Sequence, residues 1–454
     1  MLDMTESWRR ARESRDHRFD GKFFVGVVTT GIYCRPICPA KTASEENVRY
    51  FHSAVEAAGQ GFRPCLRCRP DSAPGSNPWK GVDTTLERAV SLIDSGYLHQ
   101  QSVTDLCHRL GVSDRYLRKL FHNRLGLSPK QYSLYQQVLF AKKLLHETRL
   151  PVSEIAFAAG FNSVRRFNDS FSSALKLTPS QVRGKTEVTA GPVSIRLAYR
   201  PPYDWDRWRV FVSARLIHGM EWLDEHTYGR TFAVEGAKGW FIARHQNSEN
   251  CFDVEIHLNQ PAALFRVVKR IRRILDLDAD PQSIHSHLSL IQQLGERLIP
   301  GLRIPGAWST YEAGIRAVLG QQVTVTAATN MVRKLVSEYG ESEAERLWFP
   351  APSALAASDI HCLKMPGGRK QALRDLARLC STQEGSEPEN WLSIKGIGRW
   401  TVDYARMRGS GEPDIFLAGD LGVVRKLEAM GINLDPDEGA PWRSYLTFQL
   451  WNLK

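Results

Sequence analysis

Four of the eight cysteines lie close together near the start of the chain. Three residues separate Cys34 from Cys38, and two separate Cys65 from Cys68, after an interval of 26 residues. Two close pairs at this separation are typical of a tetrahedral zinc site with four thiolate ligands. The alternative is four unrelated buried thiols. We predict zinc, which would also help a segment of about 75 residues with little core to fold.

A second candidate site lies near the other end of the chain. Gly396 and Gly398 flank one residue between two helical patterns, so the backbone can turn sharply and approach a ligand closely. Amide groups at the start of the next helix then form a site for a phosphate. Asp420 follows after a short loop. A phosphate site with a nearby carboxylate indicates chemistry on a nucleic acid, and the alternative is a helix connection with a surface carboxylate.

The bulk composition agrees with a nucleic-acid partner. The 454 residues suffice for about three or four domains. The 60 Lys+Arg exceed the 49 Asp+Glu, and the net charge of +11 favours a polyanion. No apolar run is long enough to cross a membrane, and the polar N-terminus does not resemble a secretory signal. We therefore expect a cytoplasmic, nucleoid-associated protein whose thiols stay reduced.

A basic middle segment contains a repeat. Residues 80–185 hold 16 Lys+Arg and eight Asp+Glu, so +8 of the net charge of +11 lies here. Residues 103–121 and 152–171 each read as an apolar helix, a turn glycine, an N-capping Ser or Asn, and a second helix. The alternative is a basic helical bundle with solvated charges. The second helices carry basic side chains that can enter major grooves: Arg115, Arg118, Lys119, Arg165 and Arg166.

The remainder of the chain changes pattern near residue 187. Apolar and polar residues alternate in four segments, which predicts antiparallel strands with one buried face at 193–199, 230–234, 239–244 and 252–258. Residues 207–223 and 261–275 read as helices. From about residue 286 onward the pattern is helical. This order predicts an α+β part followed by an all-α part.

Residues 24–39 and 61–70 resemble the N-terminal zinc domain of the Ada family. The resemblance implies that one zinc-bound thiolate accepts a methyl group from a DNA methylphosphotriester, because zinc keeps the sulfur deprotonated and nucleophilic. By position the acceptor is Cys34, and the other three cysteines are the remaining ligands. The methyl group stays on the protein, so the transfer is stoichiometric. Four arginines beside the cysteines are candidates for contacting DNA phosphates: Arg35, Arg63, Arg67 and Arg69.

The repeat in residues 80–186 resembles the AraC-type DNA-binding domain, including its Gly-Phe and Thr-Pro tail. The resemblance implies sequence-specific binding to promoter DNA, with RNA polymerase as a further candidate partner. Two reading motifs in one chain need no dimer, so we expect a monomer. Methylation of Cys34 would remove one negative charge from the zinc site, which should tighten DNA binding.

Residues 394–454 resemble the helix-hairpin-helix DNA glycosylases, in particular the AlkA type that releases 3-methyladenine, and residues 201–205 and 306–323 extend the likeness. The resemblance implies that Asp420 is catalytic. It also implies contacts with DNA or with the damaged base at Trp400, Tyr404, Trp451, Gln322, Gly396 and Gly398. For each aromatic residue, core packing is the alternative. Related bifunctional enzymes carry a lysine where this chain has Trp400. We therefore expect hydrolysis without strand cleavage.

Together these observations predict a multidomain α+β protein: a zinc domain at 1–75, an all-α double helix-turn-helix domain at 80–186, an α+β antiparallel-sheet subdomain at 190–285, and an all-α helix-hairpin-helix glycosylase domain at 286–454. The predicted function is repair of alkylated double-stranded DNA, joined to a methyl-accepting transcription regulator. One alternative is a regulator whose glycosylase-like domain is inactive. Another is a repair enzyme whose helix-turn-helix part binds DNA without specificity.

Overall fold

The structure is a computed structural model that describes residues 4–16, 19–20, 22–52, 54–65, 67–68, 70, 84–183, 191–382 and 388–453. Arg69 and the linker expected at residues 71–78 lie outside the described residues. Among the residues that are described, no helix has both the length and the apolar character that a membrane crossing requires.

Helices make up most of the regular structure. The α-helices are α1 (Met4–Glu13), α2 (Ala54–Gly59), α3 (Thr84–Asp94), α4 (Val103–Leu110), α5 (Asp114–Leu125), α6 (Pro129–Glu147), α7 (Val152–Ala158), α8 (Val164–Leu175), α9 (Pro179–Arg183), α10 (Trp205–Ser213), α11 (Leu264–Ile274), α12 (Pro281–Leu288), α13 (Thr310–Gly320), α14 (Val325–Tyr339), α15 (Pro352–Ala356), α16 (Gly367–Thr382), α17 (Arg399–Ala405), α18 (Leu421–Met430) and α19 (Arg443–Asn452).

The strands are short and mostly antiparallel. They are β1 (Phe24–Val27), β2 (Ile32–Cys34), β3 (Val48–Phe51), β4 (Arg63–Pro64), β5 (Val193–Ala198), β6 (Glu221–Leu223), β7 (Thr227–Val234), β8 (Ala237–Gln246), β9 (Cys251–Leu258), β10 (Ser342–Glu343) and β11 (Arg346–Leu347). The predicted multidomain α+β class is confirmed. The part beyond residue 286 is helical among its described residues, apart from 3-10 turns, a π-helical turn and the β10–β11 hairpin.

The chain divides into two compact units. The first comprises Met1–Pro201, Gln246–Lys269 and Leu277–Ala279, and the second comprises Pro202–His245, Arg270–Asp276 and Asp280–Lys454. The predicted 190–285 subdomain is divided between them, with β5 and β9 in the first unit and β6, β7 and all of β8 except its last residue in the second. The predicted boundaries at 75, 186 and 285 stay predictions.

In the first unit, a small sheet of strand order β3-β1-β2-β4 lies at the start of the chain. β1 pairs antiparallel with β2 and β3, while β2 runs parallel to β4. Phe24, Tyr33 and Phe51 are buried on this sheet and form a small aromatic core. An aromatic core of this size gives little burial, which agrees with the need for a stabilising metal.

The helix-turn-helix copies follow the predicted pattern. Gly111 ends α4 in the left-handed conformation at φ 68°, a turn that favours glycine. Ser113 caps α5 by accepting a hydrogen bond from the Tyr116 amide, and Ser163 caps α8 by accepting one from the Arg166 amide. Such caps start a helix at a defined residue. The double helix-turn-helix prediction is confirmed.

In the second unit, β6, β7 and β8 form an antiparallel meander. The helix predicted over residues 207–223 is wrong in its second half, because α10 ends at Ser213 and Glu221–Leu223 is strand β6. Gly219 turns the chain at φ 82°, and Glu221 then pairs with Arg230 of β7. Pairing with a neighbouring strand overrides the local helical pattern here.

α13 is the centre of the second unit and is buried along most of its length. Its Glu312 is 2% exposed and forms ion pairs with Arg230 (2.8 Å) and Arg316 (2.9 Å). Burial opposes the charged form, but the two arginines outweigh it and lower the pKa of Glu312 to about 2. The network fixes α13, which leads directly into the loop at residues 321–324.

Candidate functional site

The strands of the small sheet bring the four cysteines of the first unit together. Cys34 is the last residue of β2, and Cys65 directly follows β4, which pairs with β2. The Cys65 amide donates to the Tyr33 carbonyl at 2.9 Å. The four sulfur atoms, which include those of Cys38 and Cys68, lie within 4.8 Å of one another.

This set of donors fits zinc. Thiolates bound at about 2.3 Å around a tetrahedral zinc lie roughly 3.8 Å apart, which is compatible with four sulfurs that all lie within 4.8 Å of one another. A zinc ion binds cysteine as thiolate, and its charge would keep the four sulfurs deprotonated. Cys34 and Cys38 are partly exposed, whereas Cys65 and Cys68 are buried, so the first pair is the accessible one.

Arg35 lies beside the cluster, and its side chain is held there by hydrogen bonds to neighbouring residues. Its side chain is 10% exposed, donates from Nε to Asp20 at 2.7 Å, and donates from a terminal nitrogen to the Cys68 carbonyl at 3.1 Å. Its backbone amide also donates to the Cys68 sulfur at 3.3 Å. Arg35 therefore fixes the loop after Cys34 through the buried carboxylate of Asp20, and its contact with a DNA phosphate stays a prediction.

In the second unit, Asp420 is the N-cap of α18. Its Oδ1 accepts hydrogen bonds from the amides of Gly422 (2.9 Å) and Val423 (3.2 Å). The indole of Trp451 donates to the same oxygen at 2.9 Å, and the indole of Trp400 donates to Oδ2 at 3.2 Å. A carboxylate has about four acceptor sites, two on each oxygen, so the three donors fill Oδ1 while the single donor to Oδ2 leaves one site of that oxygen free.

Two of the three aromatic residues predicted for the pocket, Trp400 and Trp451, therefore meet at this carboxylate, and the third, Tyr404, stacks on Trp400. Trp400 and Tyr404 lie one turn apart on α17, with stacked rings whose centroids are 5.3 Å apart. Trp451 of α19 stacks on Phe211 of α10 at 6.2 Å. Trp400, Tyr404 and Trp451 are each only partly buried against a small apolar cluster. One face of each ring is therefore packed while part of it remains accessible.

Three further residues shape this site and carry no spacing signal in the sequence. Phe211 lies almost 200 residues before the hairpin. Arg408 donates to the Tyr404 hydroxyl at 2.8 Å from a π-helical turn, Arg406–Ser410, a local structure common at functional sites. Arg215 lies over the Phe211 ring at 3.7 Å, and burial lowers its pKa to about 10.

The arrangement around Asp420 also requires a glycine at position 422. A Cβ at this position would lie 2.9 Å from Asp420 Oδ1 and 3.4 Å from the Trp451 indole. A residue with a side chain would therefore displace the Asp420 carboxylate, while its Cβ would only touch the indole. In the sequence, the only sign of this close approach is the glycine two residues after Asp420.

The loop after α13 is tied to the glycine hairpin. Gln321 donates to the Gly396 carbonyl and to the Thr401 hydroxyl, each at 3.1 Å. The next residue, Gln322, is exposed and has the left-handed φ of 56°, which is costly for a residue with a side chain. The loop therefore presents the Gln322 side chain from a strained backbone that Gln321 helps to hold.

Only one of the two hairpin glycines needs its conformational freedom. Gly396 has φ 94°, in the region that favours glycine. Gly398 is extended and is the N-cap of α17, and a Cβ there would meet no atom within 4 Å. The sequence argument that both glycines permit the turn thus holds for Gly396, while Gly398 leaves open space at the start of α17.

Three domain families match the sequence. The metal binding domain of Ada matches residues 7–71, a helix-turn-helix domain matches residues 106–185, and the AlkA N-terminal domain matches residues 194–309. These matches agree with zinc as the metal of the four-cysteine cluster.

Individual relatives extend the comparison. The chain is 34% identical over 482 aligned residues, 99% of this chain and 97% of the relative, to a probable bifunctional transcriptional activator/DNA repair enzyme AlkA of Mycobacterium tuberculosis. It is 32% identical over 284 residues, 56% of this chain and 95% of the relative, to DNA-3-methyladenine glycosylase 2 of Escherichia coli. It is 32% identical over 174 residues, 37% of this chain and 46% of the relative, to the bifunctional transcriptional activator/DNA repair enzyme Ada of Escherichia coli.

Proposed function

Because this chain belongs to the family of bifunctional transcriptional activator/DNA repair enzymes of the AlkA type, we propose that it is a DNA glycosylase joined to a methyl-accepting transcription regulator. The glycosylase hydrolyses the N-glycosidic bond of alkylated bases such as 3-methyladenine. The observation that carries this proposal is the carboxylate of Asp420, held between the indole groups of Trp400 and Trp451.

The glycosylase must first extrude the damaged base. Unstacking costs a few kcal/mol and is least costly at damaged pairs, which adds selectivity. We assign Gln322 to fill the gap in the duplex. The backbone at Gly396 and Gly398 contacts the DNA, since a phosphate can approach closely where no side chain intervenes. An alkylated, cationic purine then stacks on the electron-rich rings of Trp400, Tyr404 and Trp451.

The chemical step is a hydrolysis. The bond between the deoxyribose C1′ and the base nitrogen breaks, the base leaves with the electron pair, and a water molecule supplies the new C1′–O bond. The sugar passes through an oxocarbenium-like state, whose positive charge the ionised Asp420 stabilises. Oδ2 is the oxygen available for this task, because Oδ1 already accepts three hydrogen bonds. The indole donors keep the carboxylate in this orientation.

The experiment that tests this function is release of free 3-methyladenine from alkylated duplex DNA by the full chain. Release with turnover supports the glycosylase. A chain that binds the same DNA without releasing base would instead support the inactive, purely regulatory alternative.

In the first unit, Cys34 is the proposed methyl acceptor. Its sulfur attacks the methyl carbon of a methylphosphotriester, a new S–C bond forms, the C–O bond breaks, and the phosphodiester leaves as an anion. Zinc, when bound, keeps the sulfurs deprotonated. Cys38, Cys65 and Cys68 complete the ligand set. The helix-turn-helix copies read promoter DNA from one chain, as a monomer that can recruit RNA polymerase.

Methylation is proposed to act as a switch. Four thiolates outweigh the charge of one zinc ion, so the cluster is anionic and repels DNA phosphates. Transfer of a methyl group to Cys34 removes one negative charge and strengthens DNA binding, an effect that depends on salt. The regulator therefore binds its operator more tightly after it has encountered damage.

We expect the enzyme to leave the DNA strand intact after base release. Trp400 stands at the position where related glycosylases that also cleave the DNA strand carry a lysine, which forms a Schiff base. The exposed Lys395 of the hairpin is therefore not expected to trap the abasic sugar. Gel analysis of the product before and after alkaline treatment, with borohydride trapping, checks this expectation. Strand nicking that disappears in Lys395→Ala would show that the prediction is wrong.

Replacing Gln321 by Ala should slow base excision. The change removes both hydrogen bonds between the loop and the hairpin and leaves the Thr401 hydroxyl, on a residue that is 1% exposed, without this donor. Losing such contacts costs about 1–3 kcal/mol, which corresponds to a roughly 5- to 150-fold lower single-turnover rate. Gln371→Ala, at an exposed glutamine of α16, is the matched control. Equal excision rates for Gln321→Ala and the control would remove Gln321 from this role.

A further inference from the structure

The helix α6 reaches from the helix-turn-helix region to the four-cysteine cluster. Lys142 of α6 is completely buried, and its ammonium group donates a hydrogen bond to the backbone carbonyl of Cys65 at 3.1 Å. A buried ammonium is costly unless it is compensated by acceptors or by negative charge. One acceptor of this ammonium group, the Cys65 carbonyl, belongs to a residue of the zinc cluster.

A second contact joins the same face of α6 to the other half of the cluster. The hydroxyl of Tyr135 is hydrogen bonded to the hydroxyl of Tyr33, which is fully buried and directly precedes Cys34. Tyr135 and Lys142 are seven residues apart, which is two helical turns, so they lie on one side of α6. α6 thus contacts both segments that supply cluster cysteines.

The same helix also holds the second DNA-reading motif. Gln137 of α6 donates to the carbonyl of Gly160 at 2.7 Å. Gly160 is the turn glycine between α7 and α8, with φ 83°. Since a helix is a stiff element, a shift of α6 at the cluster is transmitted to this turn.

We propose that Lys142 is a positioning residue of the zinc cluster and that α6, through Lys142 and Tyr135, couples the charge state of the cluster to the helix-turn-helix copies. The ammonium group orients the Cys65 backbone and balances part of the negative charge of the thiolate cluster. A methyl group on Cys34, or loss of zinc followed by protonation of the four thiols, weakens this attraction and releases α6 from its position. The coupling to DNA reading rests on the proposed methylation switch, whereas the positioning of the cluster does not.

Rates of zinc release to a chromogenic chelator, measured on the zinc-loaded full chain, test the positioning role. Lys142→Met should release zinc about 10-fold faster than wild type, since loss of an outer-shell partner commonly weakens metal sites 10- to 100-fold. Lys142→Arg should restore much of the retention because it keeps a buried cation. Tyr135→Phe, which removes one hydroxyl group, should show a smaller increase in the rate of zinc release. It tests the contact between α6 and the cluster if Lys142→Met fails to fold.

Lys143→Met is the matched control. Lys143 is also buried and also donates to a backbone carbonyl, but that carbonyl belongs to Arg196 of β5 and not to the cluster. Lys143→Met should therefore leave zinc release unchanged. Wild-type release rates in both Lys142→Met and Tyr135→Phe would overturn the positioning role. So would equal acceleration in Lys142→Met and Lys143→Met, because a general loss of stability would then explain it.

DNA affinity separates the coupling from the switch on which it rests. The ratio of affinities of the methylated and unmethylated chain is measured at fixed salt on a duplex selected from a random library. Wild type should show tighter binding after methylation, and Lys142→Met should bring the ratio close to one. An unchanged ratio in Lys142→Met would overturn the coupling. A wild-type ratio of one would overturn the switch itself, while the zinc-release rates still decide the role of Lys142.

Discussion

Replacing Asp420 by Asn is expected to abolish release of 3-methyladenine from alkylated duplex DNA. The amide removes the negative charge that stabilises the cationic sugar, while it keeps an oxygen that can still cap α18. Loss of one preorganised electrostatic group commonly lowers kcat by about 10²–10³-fold, and we expect at least this decrease. Single-turnover excision, measured with saturating enzyme, isolates the chemical step.

Asp280→Asn is the matched control for this change. Asp280 is also the N-cap of a helix, α12, and accepts a hydrogen bond from the Ser283 amide. Its replacement should leave excision close to wild type. Retained excision in Asp420→Asn, with a normal melting temperature, would mean that another group stabilises the sugar.

Replacing Cys34 by Ala is expected to abolish methyl acceptance from DNA that carries methylphosphotriesters. Wild type should take up one methyl group per chain, because the thioether formed cannot return it. In Cys34→Ala the sulfur that attacks the methyl carbon is missing, so no methyl-labelled peptide should form. Mass spectrometry of the digested protein, after incubation with labelled DNA, gives both the amount and the position of the methyl group.

Cys107→Ala provides the control for the cysteine change. Cys107 is a buried thiol of α4 outside the cluster, and its replacement should leave methyl acceptance intact. Zinc content is measured on each variant, since loss of the metal would itself remove the thiolate character of the remaining ligands. A methyl group found on Cys38, Cys65 or Cys68 of the wild-type protein would contradict the assignment of Cys34.

The two changes are expected to act independently. Asp420→Asn should keep methyl acceptance, and Cys34→Ala should keep base excision, because each removes a group from one compact unit only. A purely regulatory protein would show methyl acceptance without base release in the wild type. A repair enzyme without specific operator binding would show both reactions but bind all duplexes with similar affinity.

The amino-acid sequence by itself determined those features that depend on local spacing and backbone chemistry. Two close cysteine pairs predicted the four-sulfur cluster, because short spacings hold the two ligands of each pair near one another in any fold. The pairing of β2 with β4 then brings the two pairs together. Turn glycines and capping serines predicted the helix-turn-helix copies, as at Gly111 and Ser113, because caps and left-handed turns are properties of a few adjacent residues. The hairpin at Gly396 follows for the same reason.

The tertiary structure alone decided which distant side chains meet. Asp420 lies 20 residues from Trp400 and 31 from Trp451. No periodicity in the sequence predicts that both indoles contact the same carboxylate. Strand pairing turned part of a predicted helix into β6 around Glu221. Packing also buried Lys142 against Cys65, although a lysine in a basic segment reads as solvated. These outcomes depend on contacts between residues far apart in sequence, which local patterns do not encode.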